Sequence, residues 1–284
     1  MKSVETRFFS DGRWLARGEA VLAPTAGLIA HGEGWFETLR VETGRPMFLA
    51  AHLERLVASI STVYGVDEAA TVRRRAEACI AAMQPSFGEF QSGRLRLLLT
   101  RDEARVVPGS DSWQVLGEWS AYHPDTAAES EGIAVTIAAF AHPELGFLGK
   151  SASYHWSLAA RQQAHLRGAR EALLARDGYV LEGSTGALVW CNHGRWFSCD
   201  SPAILPSVTV AALRASGLVI ETAALPLAML EPATATPVSG LILVSALRLA
   251  IPIRSCDGRV LPSAVATARS WRAALLAAHS EAFR

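Results

Sequence analysis

The sequence predicts a two-domain protein of mixed α/β class, and three observations carry that expectation. Apolar residues recur at helical spacing in some segments and alternate in others, so helices and strands are both present. At 284 residues the chain has room for two domains of roughly 100 to 150 residues. Between Glu118 and Gly132 the sequence turns polar and small, with Pro124, Asp125, Glu129, Ser130 and Glu131, as a linker does. The division that follows is a small N-terminal α/β domain over residues 1–120, a linker over 121–132 and a larger C-terminal domain over 133–284.

In order, a first section of short apolar runs and turns leads to a helix at about His52 to Tyr64, where Leu53, Leu56, Val57, Ile60 and Val63 share a face. A second helix is expected near Asp67 to Met83, with Asp67 as its N-cap and Pro85 and Gly88 closing it. Arg94 to Thr100 reads as strand. Past the linker, Ile133 to Ala139 alternates as a strand does, and Tyr154 to Leu166 is apolar at helical spacing. Glu171 to Ala175 and Tyr179 to Leu181 form a hairpin about Arg176-Asp177-Gly178. More strand-like segments follow, and a helix at about Ala264 to Ala282 ends the chain.

Composition removes several classes of partner. The 27 basic and 27 acidic residues balance, so no basic field attracts nucleic acid or anionic lipid. The first residues lack the apolar core of a signal peptide, and the most apolar later stretch, Leu241 to Ile253, is broken by Arg248, so no membrane segment is expected. Cys79, Cys191, Cys199 and Cys256 form no C-x-x-C pair and no metal-ligand spacing with histidine, which favours a reduced, cytoplasmic setting and no metal. His31, His52 and His155 lack paired ligand spacing and read as surface or satisfied polar residues, while Trp35, Trp156 and Trp190 suit core or pocket lining. Gly32-Glu33-Gly34 lacks the strand, third glycine and acidic partner of a dinucleotide loop.

Lysine occurs only at Lys2 and Lys150, in a chain of 27 basic residues. Where charge alone is needed arginine serves, but a Schiff base needs a primary amine that can lose its proton, which guanidinium cannot do. The apolar and small neighbours, Leu145 to Gly149 and Ser151 to Tyr154, lower an ammonium pKa by desolvation. Composition alone leaves a solvated lysine on a glycine-rich loop equally open.

The surrounding motifs decide between these readings. "HGEGWFETLRVETGRPMFLAAHLERL" (His31 to Leu56) is similar to the Gly-Asp-Gly, Phe-Glu-Thr and His-Leu-x-Arg-Leu landmarks of the class IV aminotransferase family, in the same order. "GKSASY", "GAREALLARDGYVLEGST", "ILPSVT" and "LVSALRLAIPIRSCDGR" continue the resemblance through the second half. That family comprises the fold-type IV enzymes of pyridoxal 5′-phosphate (PLP), including branched-chain and D-amino-acid aminotransferases and aminodeoxychorismate lyase. The resemblance implies a two-domain α/β fold of the D-amino-acid aminotransferase type, a homodimer, PLP as cofactor in the cleft between the domains, and the PLP lysine in the larger C-terminal domain.

By that resemblance Lys150 carries PLP and shuttles the substrate proton, and Glu182, at the end of the second hairpin strand, holds the pyridine nitrogen. The cofactor phosphate falls to Arg55, to Ser184 and Thr185, to Val208 and Thr209 where "LPSVT" opens a helix, and to Ser245, with Ala246 an alternative. Tyr154 reaches the phenolic oxygen or is a core tyrosine. On the substrate side stand Phe36, Thr38 and Arg105, the last also readable as a solvated loop arginine. The sequence departs from the family pattern at Glu33 (usually Asp), Ser207 (Gly), Val210 (commonly Arg) and Gly186-Ala187 (Ser-Asn). The implied substrate is a small amino acid or amino-acid-like acid. The "LVSALRLAIPIRSCDGR" ending and the length favour a 4-amino-4-deoxychorismate lyase-like activity that eliminates pyruvate. A transaminase of branched-chain or D-amino acids, supported by Phe36-Glu37-Thr38, is the alternative, and a non-catalytic PLP-binding or regulatory relative a further one.

Overall fold

The computed structural model describes residues 6–16, 19, 22, 26–102, 112–144, 148–231 and 236–281. They form two compact units, Met1–His123 with Gly146–Ser153, and Pro124–Leu145 with Tyr154–Arg284. The short segment bearing Lys150 packs with the first unit, whereas the sequence division leaves it with the second part. Its backbone explains this, because it hydrogen-bonds to a strand of the first unit rather than continuing its own neighbours.

The first unit contains β1 (Arg7–Ser10), β2 (Arg13–Trp14), α1 (Gly27–His31), β3 (Gly34–Glu42), β4 (Arg45–Pro46), α2 (Leu49–Tyr64), α3 (Val66–Met83), β5 (Ser92–Arg101) and β6 (Trp113–Ala121). Its six strands pair antiparallel in the order β2-β1-β6-β5-β3-β4. Strand alternation sorts β3 and β5 into two faces. Trp35, Leu39 and Val41 of β3 join Leu95, Leu97 and Leu99 of β5 in a core with Leu53, Leu56 and Ile60 of α2 and Val72 of α3. The opposite face carries Phe36, Thr38 and Arg40, set directly across from Leu98, Arg96 and Arg94. Helix α3 starts on Gly65 with no side-chain cap, so Asp67 is not the N-cap; it lies in the first turn with Glu68, where a negative charge favours the helix dipole.

The second unit contains α4 (Thr126–Glu131), β7 (Ile133–Ile137), α5 (His155–Leu166), β8 (Glu171–Arg176), β9 (Tyr179–Gly183), β10 (Ala187–Asn192), β11 (Arg195–Ser198), α6 (Val208–Ala215), β12 (Ile220–Thr222), β13 (Leu225–Pro226), β14 (Gly240–Ser245), β15 (Leu249–Cys256), β16 (Arg259–Val260) and α7 (Val265–Glu281). The stretch expected to be linker holds the end of β6 and then α4, whose N-cap Asp125 accepts the Ala128 N–H at 3.0 Å. The polar residues there are capping and solvating a helix. The sheet runs β12-β11-β10-β14-β15-β7-β8-β9-β13, with β16 on β15. It is mixed, because β7 lies parallel to both β15 and β8. Ala160 and Ala164 of α5 let that helix settle closely on Ala172 and Leu174 of β8. The β8–β9 hairpin forms as expected, but its register slips between Leu174 and Ala175, leaving Leu181 as an extra residue beside Glu182.

Candidate active site

In the first unit Lys150 is fixed at its backbone. Phe36 N donates to Lys150 O at 2.9 Å, Ala152 N to Gly34 O at 2.7 Å, and the Trp35 indole N–H to Leu148 O at 2.9 Å. Ser151 bridges Trp35, so the lysine segment behaves as a short extra strand on the start of β3. Gly149 adopts φ +62°, and a Cβ there would stand 1.8 Å from Ser59 Oγ on α2, so only glycine fits before the lysine. The amine itself lies against an aromatic face, 4.7 Å from the Phe36 ring centroid.

Arg55 of α2, expected at the cofactor phosphate, forks onto the buried Glu37, with Nε donating to Oε1 at 2.8 Å and Nη2 to Oε2 at 2.6 Å. His52, one turn earlier, meets the same carboxylate through Nδ1 at 2.7 Å, which satisfies it as a polar histidine. Burial opposes the charge on Glu37, yet the adjacent Arg55 and the hydrogen bonds from His52 and Arg55 prevail and hold the carboxyl down at about 2. Burial likewise pushes the His52 pKa down, against the pull of Glu37, and the charges of Arg55 and Lys150 push the same way. The cluster therefore sits beside the lysine in electrostatic terms.

Phe36 and Thr38 fall on the β3 face opposite that cluster. Arg96, directly across from Thr38, places its guanidinium carbon 4.5 Å from the Phe36 centroid. Its Nε is buried without a hydrogen-bond partner among the described residues, and burial lowers its pKa. The Arg94-Leu95-Arg96-Leu97 alternation was a signal that two arginines share one face, although it did not mark either for function. Arg105 lies outside the described residues.

In the second unit Glu182 accepts from a buried histidine, with His142 Nε2 at 2.9 Å from Oε1. His142 follows β7 in a loop with no periodic signal, so sequence reasoning missed it. Tyr154 donates to Ser184 O at 3.1 Å, and Ser157 Oγ donates to the same carbonyl. The hydroxyls of Ser184 and Thr185 donate to Glu171, a fully buried carboxylate that also pairs with Arg248 Nη2 at 2.9 Å. Glu171 was read only as the first residue of a hairpin strand. Val208 and Thr209 open α6, whose first-turn N–H groups have no intrahelical acceptor; Ser207 takes the Val210 N–H at 3.2 Å. Ser245 ends β14, and its Oγ accepts the Arg248 N–H at 3.4 Å across the β14–β15 turn.

Three of the departures from the family pattern, at Glu33, Gly186 and Ser207, have local partners. Glu33 receives the Tyr64 hydroxyl, and Tyr64 is pushed up to about 12, first by burial and then by that contact. A Cβ at Gly186 would stand 2.5 Å from Val244 O, so the strand neighbour excludes a serine there without movement. Ser207 supplies the cap for α6 that a glycine lacks.

A primary amine backed by an aromatic ring in the first unit, and a hydrogen-bonded carboxylate and a helix N-terminus in the second, are the kinds of group that PLP binding uses. The family model for amino-transferase class IV matches residues 34–256, and the chain belongs to that family. A bifunctional aminodeoxychorismate lyase / D-amino acid transaminase of Mycobacterium tuberculosis is 28% identical over 281 residues, covering 89% of this chain and 91% of that protein. The PLP-bound form of a hypothetical aminotransferase from Mycobacterium tuberculosis superposes with TM-score 0.79 at 27% identity, covering 97% of this chain and 99% of that one. A fold IV-transaminase from Curtobacterium pusillum, CpuTA1, gives TM-score 0.78 at 25% identity, with 96% and 98% covered. The fold is that of the fold-type IV transaminases, and the protein is a PLP-dependent enzyme. Among the described residues no helix is long and apolar enough to cross a membrane.

Proposed function

We propose that this chain is a lyase that releases pyruvate from 4-amino-4-deoxychorismate, with Lys150 as the PLP-bearing amine. The observation that carries this reading is the placement of Lys150 Nζ and the Arg96 guanidinium, 4.7 and 4.5 Å from the centroid of one ring, Phe36. An amine able to bond the cofactor and a half-buried guanidinium whose Nε has no hydrogen-bond partner among the described residues suit a substrate with both an amino group and a carboxylate. The relative from Mycobacterium tuberculosis bears this lyase activity in its name.

PLP, when bound, supplies the electron sink for the carbanion next to the substrate nitrogen. Glu182 would hold the cofactor's ring nitrogen protonated. Arg55, kept in one orientation by Glu37, would take the phosphate together with Ser245 and the first-turn N–H groups at Val208 and Thr209, and Ser184 and Thr185 would join by turning their hydroxyls off Glu171. Tyr154 would serve the phenolic oxygen by turning its hydroxyl off Ser184 O, and Phe36 and Thr38 would shape the substrate side, where Arg96 would grip the carboxylate. Lys150 Nζ would take the proton from the amine-bearing carbon, the C–O bond on the neighbouring ring carbon would break with its electron pair leaving on enolpyruvate, and return of that proton to the enolpyruvate methylene would give pyruvate as the substrate ring becomes aromatic.

Pyruvate release from 4-amino-4-deoxychorismate without any keto-acid acceptor tests the reaction. Borohydride reduction and peptide mapping test the amine: a pyridoxyl adduct at Lys150 is expected, and its absence in cofactor-loaded protein overturns the assignment. A second reading, transamination of a D- or branched-chain amino acid, is favoured by the other half of that relative's name and by Phe36-Glu37-Thr38. It predicts turnover that depends strictly on a keto-acid acceptor. A cytoplasmic homodimer accompanies either reading, and sedimentation of the purified protein tests the dimer.

A further inference from the structure

The loop after β7 holds one buried imidazole from every side but one. His142 N donates to Ala175 O at 2.9 Å, and Arg176 Nη1 donates to His142 O at 2.6 Å, which fastens the residue to the strand that pairs with β9. Glu144 N donates to His142 Nδ1 at 3.0 Å. The edge of the ring packs on Trp156, with centroids 5.5 Å apart. A nitrogen that accepts an N–H cannot carry a proton, so the ring's proton resides on Nε2 and the imidazole is neutral in this arrangement. Only Nε2 remains, and it points at Glu182 Oε1.

We propose that His142 is a positioning residue for the reaction: it fixes the Glu182 carboxylate and leaves Oε2 and the undivided negative charge for the cofactor's ring nitrogen. This rests on the assignment of Glu182 above. Among the described residues no hydrogen bond reaches Glu182 Oε2. A cationic partner in place of His142 would neutralise the carboxylate and weaken its hold on a protonated ring nitrogen, whereas a neutral donor orients it without doing so. The extra residue at Leu181 adds to this, because a bulge re-aims the side chain next to it.

The test uses the full-length PLP-loaded enzyme and the variants His142→Phe, His142→Asn, His142→Gln, Glu182→Gln and the double variant His142→Phe/Glu182→Gln. Readouts are the PLP dissociation constant, the pH profile of the cofactor's visible band, kcat and KM, and Tm. His142→Phe is expected to weaken PLP about tenfold and to lower kcat with KM for the amine unchanged. Glutamine can reach Oε1 with its amide N–H and is expected to restore both, while the shorter asparagine does not. Because packing loss alone would not separate Gln from Asn, that difference carries the inference even if the phenylalanine variant folds poorly. The double variant is expected to be no worse than Glu182→Gln, since both act through one carboxylate. Unchanged cofactor affinity and band profile in His142→Phe or His142→Asn, or additive effects in the double variant, overturn the positioning role. An unchanged Glu182→Gln enzyme instead overturns the Glu182 assignment itself.

Discussion

Each unit buries a carboxylate against a histidine, and the two pairs are built for different ends. Glu37 in the first unit is 1% exposed, and both of its oxygens are taken, by Arg55 and His52. Glu182 in the second is 14% exposed and receives one neutral donor on one oxygen. A carboxylate with every acceptor site committed and its charge balanced by a neighbouring cation stabilises the fold around it. One that is oriented but not neutralised retains the capacity to bind. Chemical identity and a histidine neighbour are the same in both, so function follows from what is left over.

The difference is open to attack at several points. Glu37→Gln should have the largest effect on stability, about 3 kcal/mol in denaturant unfolding, because Arg55 then stands in a low-dielectric setting without its anion. The acid limb sharpens this. Glu37 lies at about 2 against an ordinary 4.5, so its contribution is complete above about pH 5 and is lost as pH falls toward 2, the unfolded state taking the proton first. Glu37→Gln should flatten that limb, and an unchanged acid profile would contradict the charge-balanced cluster. Glu182→Gln should do the reverse, lowering kcat by about 10²–10³-fold with Tm nearly unchanged. Equal losses of stability in the two variants would erase the contrast.

Arg96→Gln should raise the substrate KM by about 10- to 100-fold with little loss of stability, since its Nε has no hydrogen bond to lose among the described residues. Steady-state kinetics alongside thermal melts decide it. Gly149→Ala should cost about 1–3 kcal/mol through a positive φ and the approach to Ser59, read as a lower Tm and weaker cofactor retention.

The fold was largely legible because periodicity is a direct consequence of burial. Leu53, Leu56 and Ile60 announced α2, and they are buried as expected. The β8–β9 hairpin was marked by its Asp177-Gly178 turn. What escaped was anything decided by partners distant in the chain. Asp125 reads as a linker residue until Ala128 is seen on its side chain, and Asp67 looks like a cap although Gly65 already starts the helix. Residue identities along the chain pointed to Lys150, Glu182 and Arg55. They did not reveal that Glu37 clasps Arg55, that Glu171 gathers Ser184 and Thr185, or that a histidine 40 positions away stands behind Glu182.

The lysine segment is stitched to the first residues of β3, and the same strand contributes the ring on which the amine rests. Under the proposed assignment, a change at Phe36 therefore acts on the surroundings of the Lys150 amine as well. A library that diversifies position 36 to accept bulkier amines also changes the dielectric and the hydration felt by Nζ. Selection for new scope will drag the pH optimum with it, and β5 offers no escape from the coupling, because Arg96 of that strand lies over the same ring.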